Sequence, residues 1–380
     1  MSARPLRVVQ VGAGAMGLAW LRTLAASSDV ELVGVADLDV ARAEAAVRSL
    51  DSPDGGSGGS GGSLGSGGPR HESVMVAGSL GELLASVEPD AVVNVTVPAA
   101  HSPVNIEALF AGVPVLCEKP AAPTLAEALV QAAASEAADR LLMISQSRRY
   151  FAALSTFRER IAELGTPGLL TTSFFRAPHF GGFRDEMPQP LLVDMAIHAF
   201  DASRYLLRAE PVSVVCESWN PPWSWYQGDA SATATFLFSD GTRYVFTGSW
   251  CAEGRDTSWN GEWRAVAAGG TATWDGERHV TSSARDQPED VAPAAHEQIA
   301  GALAEFVHAL RTGSQPDGTI HGNLRSLAMV EAAVRSAETG ERVQIGALLE
   351  RAYEEALLLP VREEVRERLK AWGAAATVLS

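Results

Sequence analysis

Gly12-Ala13-Gly14-Ala15-Met16-Gly17 places three glycines at G-x-G-x-x-G spacing, after the β-branched run Leu6–Val11 and before an Ala-rich stretch. That spacing suits a tight turn at Gly12, close approach of a pyrophosphate to the backbone at Gly14, and close helix–strand packing at Gly17. The helix N-terminus would then face the anion. Asp37 ends the next β-rich run, twenty residues after Gly17. A carboxylate there accepts hydrogen bonds from an adenosine ribose and repels a 2′-phosphate, so the set points to NAD. Arg42 is near enough to keep NADP open, and Asp37 could instead cap a helix beginning near Val40.

Two further groups could do chemistry. Lys119 in Glu118-Lys119-Pro120 directly follows a buried-looking run, where a cation could hold a substrate hydroxyl and stabilise a developing alkoxide. An exposed Glu-Lys turn closed by Pro120 fits the spacing equally well. In Asp194-Met195-Ala196-Ile197-His198 the acid and the imidazole are four residues apart, on one face of a helix. The carboxylate could orient the imidazole or raise its basicity, and histidine suits proton exchange near neutrality. A solvated Asp–His pair is the alternative, and Asp201 is as well placed as Asp194.

Positioning these groups requires a wound parallel sheet. Short β-rich runs at Leu6–Val11, Val30–Ala36, Val74–Ala77, Ala91–Val95, Val113–Cys117 and Leu141–Ile144 alternate with helical stretches. Ser79 and Thr124 stand where helix N-caps belong, with Glu127 completing a capping box. The glycine loop, Thr96, Pro98 and Lys119 then share the carboxyl edge of the sheet, where a cofactor crevice forms. After a helix over Phe151–Leu164 the character changes to short strands at Leu169–Phe175, Val212–Glu217, Ala230–Phe238, Thr242–Ser249, Glu262–Ala267 and Thr271–Trp274. Asp240-Gly241 marks a hairpin, so this sheet is mainly antiparallel. Helices are expected over Leu191–Leu207, Ala294–Arg311, Asn323–Ala337, Gly346–Leu359 and about Val361–Ala374. The predicted class is α/β followed by α+β: a cofactor domain over 1–145 and a substrate and oligomerisation domain over 146–380. A Gly/Ser run within 52–69, regular enough to suit a linker, should behave as a flexible coil.

Composition narrows the function classes. With 46% apolar and 20% charged residues, the 380-residue chain reads as globular, and its length suits two domains. A net charge of −16 disfavours nucleic acid and anionic membranes, which need basic patches. Three cysteines without metal-ligand spacing imply neither a disulfide framework nor a metal site. With no signal-like or membrane-spanning run, a cytoplasmic protein is expected.

Taken in order, the glycine motif, Thr96-x-Pro98, Glu118-Lys119-Pro120, Arg149-Tyr150 and Asp194-x-x-x-His198 resemble the Gfo/Idh/MocA oxidoreductases over roughly residues 5–345. The resemblance implies a Rossmann domain and an open, mainly antiparallel sheet covering the nicotinamide, whose outer face makes a homodimer or homotetramer contact. It implies catalytic Lys119, Asp194 and His198. It implies cofactor contacts from Gly12, Ala13, Gly14, Ala15, Met16, Gly17, Asp37, Thr96, Pro98, His101, Glu118 and Lys119, with His101 near the nicotinamide ribose. Arg149 and Tyr150 join Lys119, Asp194 and His198 as substrate contacts, with a plain basic turn at Arg148-Arg149 as the alternative. The implied activity is hydride transfer at a carbinol or keto carbon of a sugar, cyclitol or related polyol. An NAD-retaining glycosidase or lyase and a non-catalytic sensor are the alternatives. Pro178–Pro190, with Gly181-Gly182, reads as a loop over the pocket. Trp219, Trp223, Trp225, Trp250 and Trp259 serve either sugar stacking or packing.

Overall fold

The computed structural model describes residues 4–51 and 74–378. The expected Gly/Ser coil at 52–69 lies outside them. Strands β1 (Leu6–Val11), β2 (Val30–Ala36), β3 (Met75–Ala77), β4 (Ala91–Asn94), β5 (Val115–Glu118) and β6 (Leu142–Ser145) form a parallel sheet in the order β3-β2-β1-β4-β5-β6. The order reverses between β1 and β4, opening the crevice that doubly wound sheets use for dinucleotides. Helices α1 (Ala15–Ala26), α2 (Val40–Ser49), α3 (Leu80–Ser86), α4 (Pro98–Phe110) and α5 (Leu125–Ala138) wind around it. The expected caps form: Ser79 Oγ accepts from the Glu82 amide and Thr124 Oγ1 from the Glu127 amide.

After α6 (Ala152–Leu164) and β7 (Pro167–Phe175), the chain runs through a π-wound turn, Leu191–Ala196, into α7 (Ile197–Leu207). One uniform helix was expected over this stretch. Then follow β8 (Pro211–Trp219), β9 (Ser231–Phe238), β10 (Arg243–Ser249), β11 (Glu262–Ala267), β12 (Gly270–Trp274), β13 (His279–Ser282) and β14 (Glu289–Asp290). Helices α8 (Gln298–Thr312) and α9 (Ile320–Thr339), strand β15 (Val343–Gln344), and helices α10 (Ile345–Leu358), α11 (Glu363–Trp372) and α12 (Ala375–Val378) complete the described chain. The second sheet runs β14-β13-β12-β11-β7-β10-β9-β8-β15, antiparallel except at β7/β10. This is the α/β then mainly antiparallel architecture read from the sequence. The β9–β10 hairpin turns at Asp240-Gly241, where Gly241 has φ +90°. Strands β13, β14 and β15 were not anticipated.

The inner face of the second sheet packs on α6, α7 and α9, and its aromatic core includes Phe200, Phe236, Tyr244 and Phe246. Helix α8 instead buries Leu303, Phe306 and Val307 with Trp20, Leu21 and Met143, among the residues of the first sheet and its helices. Among the described residues no helix is long and apolar enough to cross a membrane.

Candidate active site

The glycine loop fits a dinucleotide. Gly12 has φ +102°, and a Cβ there would lie 2.5 Å from the Val95 carbonyl oxygen. A Cβ on Gly17 would meet the Gly12 carbonyl oxygen at 2.4 Å, so both glycines are required by close backbone approach. Over Gly14 there is nothing within 4 Å, and Gly14, Ala15 and Met16 are exposed along the crevice. The loop thus keeps open space at the helix N-terminus, where a pyrophosphate is stabilised.

Asp37 sits at the end of β2 and accepts from the Ala13 amide at 2.8 Å, from the Asp39 amide and from Arg42. Burial pushes its pKa up, but these hydrogen bonds outweigh that and hold it below the usual carboxylate range. The cap of α2 is Asp39, not Asp37. Leu38 and Val97, 96% and 62% exposed, stand beside Asp37 and Thr96 as apolar walls fit for a planar base. Sequence reasoning missed both; an apolar residue directly after each strand-end polar group was the available signal.

Thr96 donates to Asn94 Oδ1, and Pro98 occupies the first turn of α4. His101 is buried, with Nδ1 2.7 Å from the Pro120 carbonyl oxygen and Nε2 3.0 Å from that of Thr96. Burial lowers its pKa, so the neutral ring donates to one of these carbonyls and lies between the two crevice loops, where a ribose contact is expected. Glu118 is likewise internal: it accepts from Trp20 Nε1 at 2.8 Å and from the Lys119 amide, and burial pushes its pKa up. It ties α1 to the Lys119 loop at a position where a cofactor contact is expected.

Lys119 Nζ donates to the Asp194 backbone carbonyl at 2.9 Å and lies 3.5 Å from Asp194 Oδ1. The other Asp194 oxygen accepts from Arg184 Nε at 2.6 Å. The sequence reading had this carboxylate orienting His198. It goes to two cations instead, because charge-assisted hydrogen bonds are stronger than one to a neutral imidazole. His198, partly exposed, has no hydrogen bond among the described residues, and its Nδ1 is buried without a partner. Burial, reinforced by Lys119 and Arg148, pushes its pKa well below 6.5. The imidazole is therefore neutral at physiological pH and able to accept a proton.

The adjacent arginines divide. Arg149 donates two bonds of 2.7 Å to Asp201, whose side chain is 2% exposed, and Ser326 donates to the same carboxylate. Tyr150 donates to Glu305 on α8 and packs against Gly301. Arg149 and Tyr150, the expected substrate contacts, thus each bridge two elements here, and Asp201 is the acid that Arg149 meets. Arg148 instead lines a small pocket with His198, Phe174, Met195, Phe246, Trp259, Asn260, Trp263 and Trp274. Of the tryptophans singled out earlier, Trp259 lines this pocket under the Arg176 guanidinium, Trp250 is buried in the core, and Trp219 and Trp223 are exposed. Arg148, Arg184 and Asn260 were not assigned from sequence; their roles rest on contacts spanning up to 112 residues.

A dinucleotide crevice facing a lysine and a neutral histidine across a second sheet defines a nicotinamide-dependent oxidoreductase. Residues 6–146 match the oxidoreductase family with an NAD-binding Rossmann fold, Gfo/Idh/MocA, and residues 156–275 match the GFO/IDH/MocA C-terminal domain. The chain belongs to this family. It is 28% identical to an inositol 2-dehydrogenase of Saccharopolyspora erythraea, over 91% of this chain and 97% of that protein. It is 27% identical to a 1,5-anhydro-D-fructose reductase of Ensifer adhaerens, over 70% of this chain and 83% of the other. In fold it is similar to an oxidoreductase from Agrobacterium radiobacter crystallised with NAD+, L-tartaric acid and magnesium: TM-score 0.79, 19% identity, covering 90% of this chain and 99% of that one.

Proposed function

We propose that this protein is an NAD-dependent dehydrogenase or reductase acting on a secondary alcohol, or the matching ketone, of a cyclitol, sugar or related polyol. The observation that carries this is the convergence of Lys119 and an unpartnered, neutral His198 at the carboxyl edge of the sheet whose glycine loop keeps room for the cofactor. The similarity to inositol and anhydrofructose oxidoreductases supports the substrate class.

The bound nicotinamide supplies the hydride acceptor or donor. Lys119 holds the substrate oxygen and stabilises charge that grows on it. His198 takes the hydroxyl proton in oxidation and returns it in reduction. Asp194 fixes Lys119 and Arg184 at the mouth of the site. The carboxylate of Asp37 favours NAD over NADP. Residues 1–145 are the cofactor unit and 146–380 the substrate unit, with α8 packing back against the first. The open face of the second sheet presents half-exposed Thr171, Thr233, Thr235, Val245 and Thr247, which suits self-association into a dimer or tetramer in the cytoplasm. The test is NADH formation with inositols and sugars as substrates. No NADH across such a panel, with NAD bound, would overturn the reading.

A further inference from the structure

Arg148 is the only residue lining the His198 pocket that carries a permanent charge. Among the described residues no carboxylate lies within ion-pair distance of it, whereas Arg149 beside it is fully paired. Its Nη1 donates to Asn260 Oδ1, while Nε and Nη2 make no hydrogen bond among the described residues. Burial pushes its pKa down to about 10, with only the longer-range field of Glu277 opposing this. Glu277 is occupied by Ser258 Oγ at 2.6 Å. A half-buried guanidinium packed among three tryptophans and two phenylalanines, with no ion-pair partner among the described residues, offers an anion an open charge to pair with.

The surrounding charges point the same way. Lys119 and Arg148 both act on His198 through their charge, and Asp194, the acid beside Lys119, is shared with Arg184. This excess of positive charge stands in a chain of net charge −16. The pocket holds about 20 Å³, room for a terminal group but not for a sugar ring.

Building on the oxidoreductase reading, we infer that the substrate is a polyol bearing a carboxylate, which enters this pocket and is held by Arg148 through Nε and Nη2. The planar Nε/Nη2 edge matches a carboxylate with two parallel hydrogen bonds, which an ammonium cannot reproduce. A carboxylate placed there keeps the ring on the Lys119 side of His198, with a ring hydroxyl free for proton transfer.

The test compares acid and neutral partners: D-glucuronate with D-glucose, D-galacturonate with D-galactose, and D-gluconate with sorbitol. Each is titrated into NAD-saturated protein while tryptophan fluorescence is recorded, since Trp259, Trp263 and Trp274 line the pocket. At least one acid should bind about 10- to 100-fold more tightly than its neutral partner, the range expected for hydrogen bonds to a charged group. Arg148→Met should remove that preference without changing NAD affinity, and Arg148→Lys should restore it only in part. The inference is overturned if no acid binds better than its neutral partner, or if the preference survives in Arg148→Met. If Arg148→Met does not fold, the wild-type ratios and Arg148→Lys decide. NADH formation is followed in parallel. Acid preference without any NADH retains the anion subsite and removes the oxidoreductase reading, whereas NADH from neutral polyols without acid preference does the reverse.

Discussion

Replacing Asp201 by leucine separates a structural from a substrate role for Arg149. In the native site the Asp201 carboxylate, 2% exposed, takes two 2.7 Å bonds from Arg149 and one of 2.6 Å from Ser326. Asp201→Leu leaves the guanidinium buried and unpaired, at a cost of about 3–5 kcal/mol. At roughly 2–4 °C per kcal/mol the midpoint of thermal unfolding should fall by about 6–20 °C. Arg149→Met leaves a buried carboxylate and should fall comparably. The double variant, with neither charge, should recover most of the loss, because removing a buried pair outright is often near neutral. Thermal melts followed by circular dichroism, with and without NAD, measure this. If Arg149→Met melted like wild type while its KM for substrate rose sharply, Arg149 would be a substrate ligand and the structural assignment would be refuted.

Other expectations follow from the same geometry. His198→Ala should lower turnover by about 10²- to 10⁴-fold with NAD affinity unchanged by fluorescence titration. Because burial, Lys119 and Arg148 hold the His198 pKa below 6.5, the acid limb of kcat/KM for alcohol oxidation should lie below that pH. Removing either cation relieves its repulsion of the proton, so in Arg148→Met the limb should move upward; a downward move contradicts the assignment. Gly14→Val should keep the melting temperature but abolish NAD binding, since its side chain enters open space, whereas Gly12→Val should lose stability as well through its contact with Val95. Asp37→Ser, with Arg42 retained, should shift the ratio of kcat/KM values from NAD towards NADP.

The parallel sheet was legible because short apolar runs, β-branched in β1, β2 and β4, alternate with capped helices, and Gly12 and Gly17 because close backbone approach leaves no alternative there. Strands β14 and β15 span two residues each, too short for alternation to register. The order of chemical motifs placed Lys119, Asp194 and His198 in one site, yet their pairing was not readable. Asp194 meets Arg184 from a loop ten residues away and Lys119 from the other sheet, competitors that spacing along one helix does not reveal. Arg148 and Arg149, adjacent in sequence, point to opposite fates because only Arg149 finds a buried acid. His101 and Glu118 sit where a cofactor contact was expected, and neighbouring protein groups meet their polar atoms.

Hydride transfer assisted by His198 is read out by NADH absorbance on mixing purified protein and NAD with inositols, sugars and sugar acids, run beside His198→Ala. NADH should form from at least one compound in wild type, with a loss of at least about 10²-fold in the variant. Equal rates in the two proteins, or product formation with retained NAD and no NADH, would contradict it.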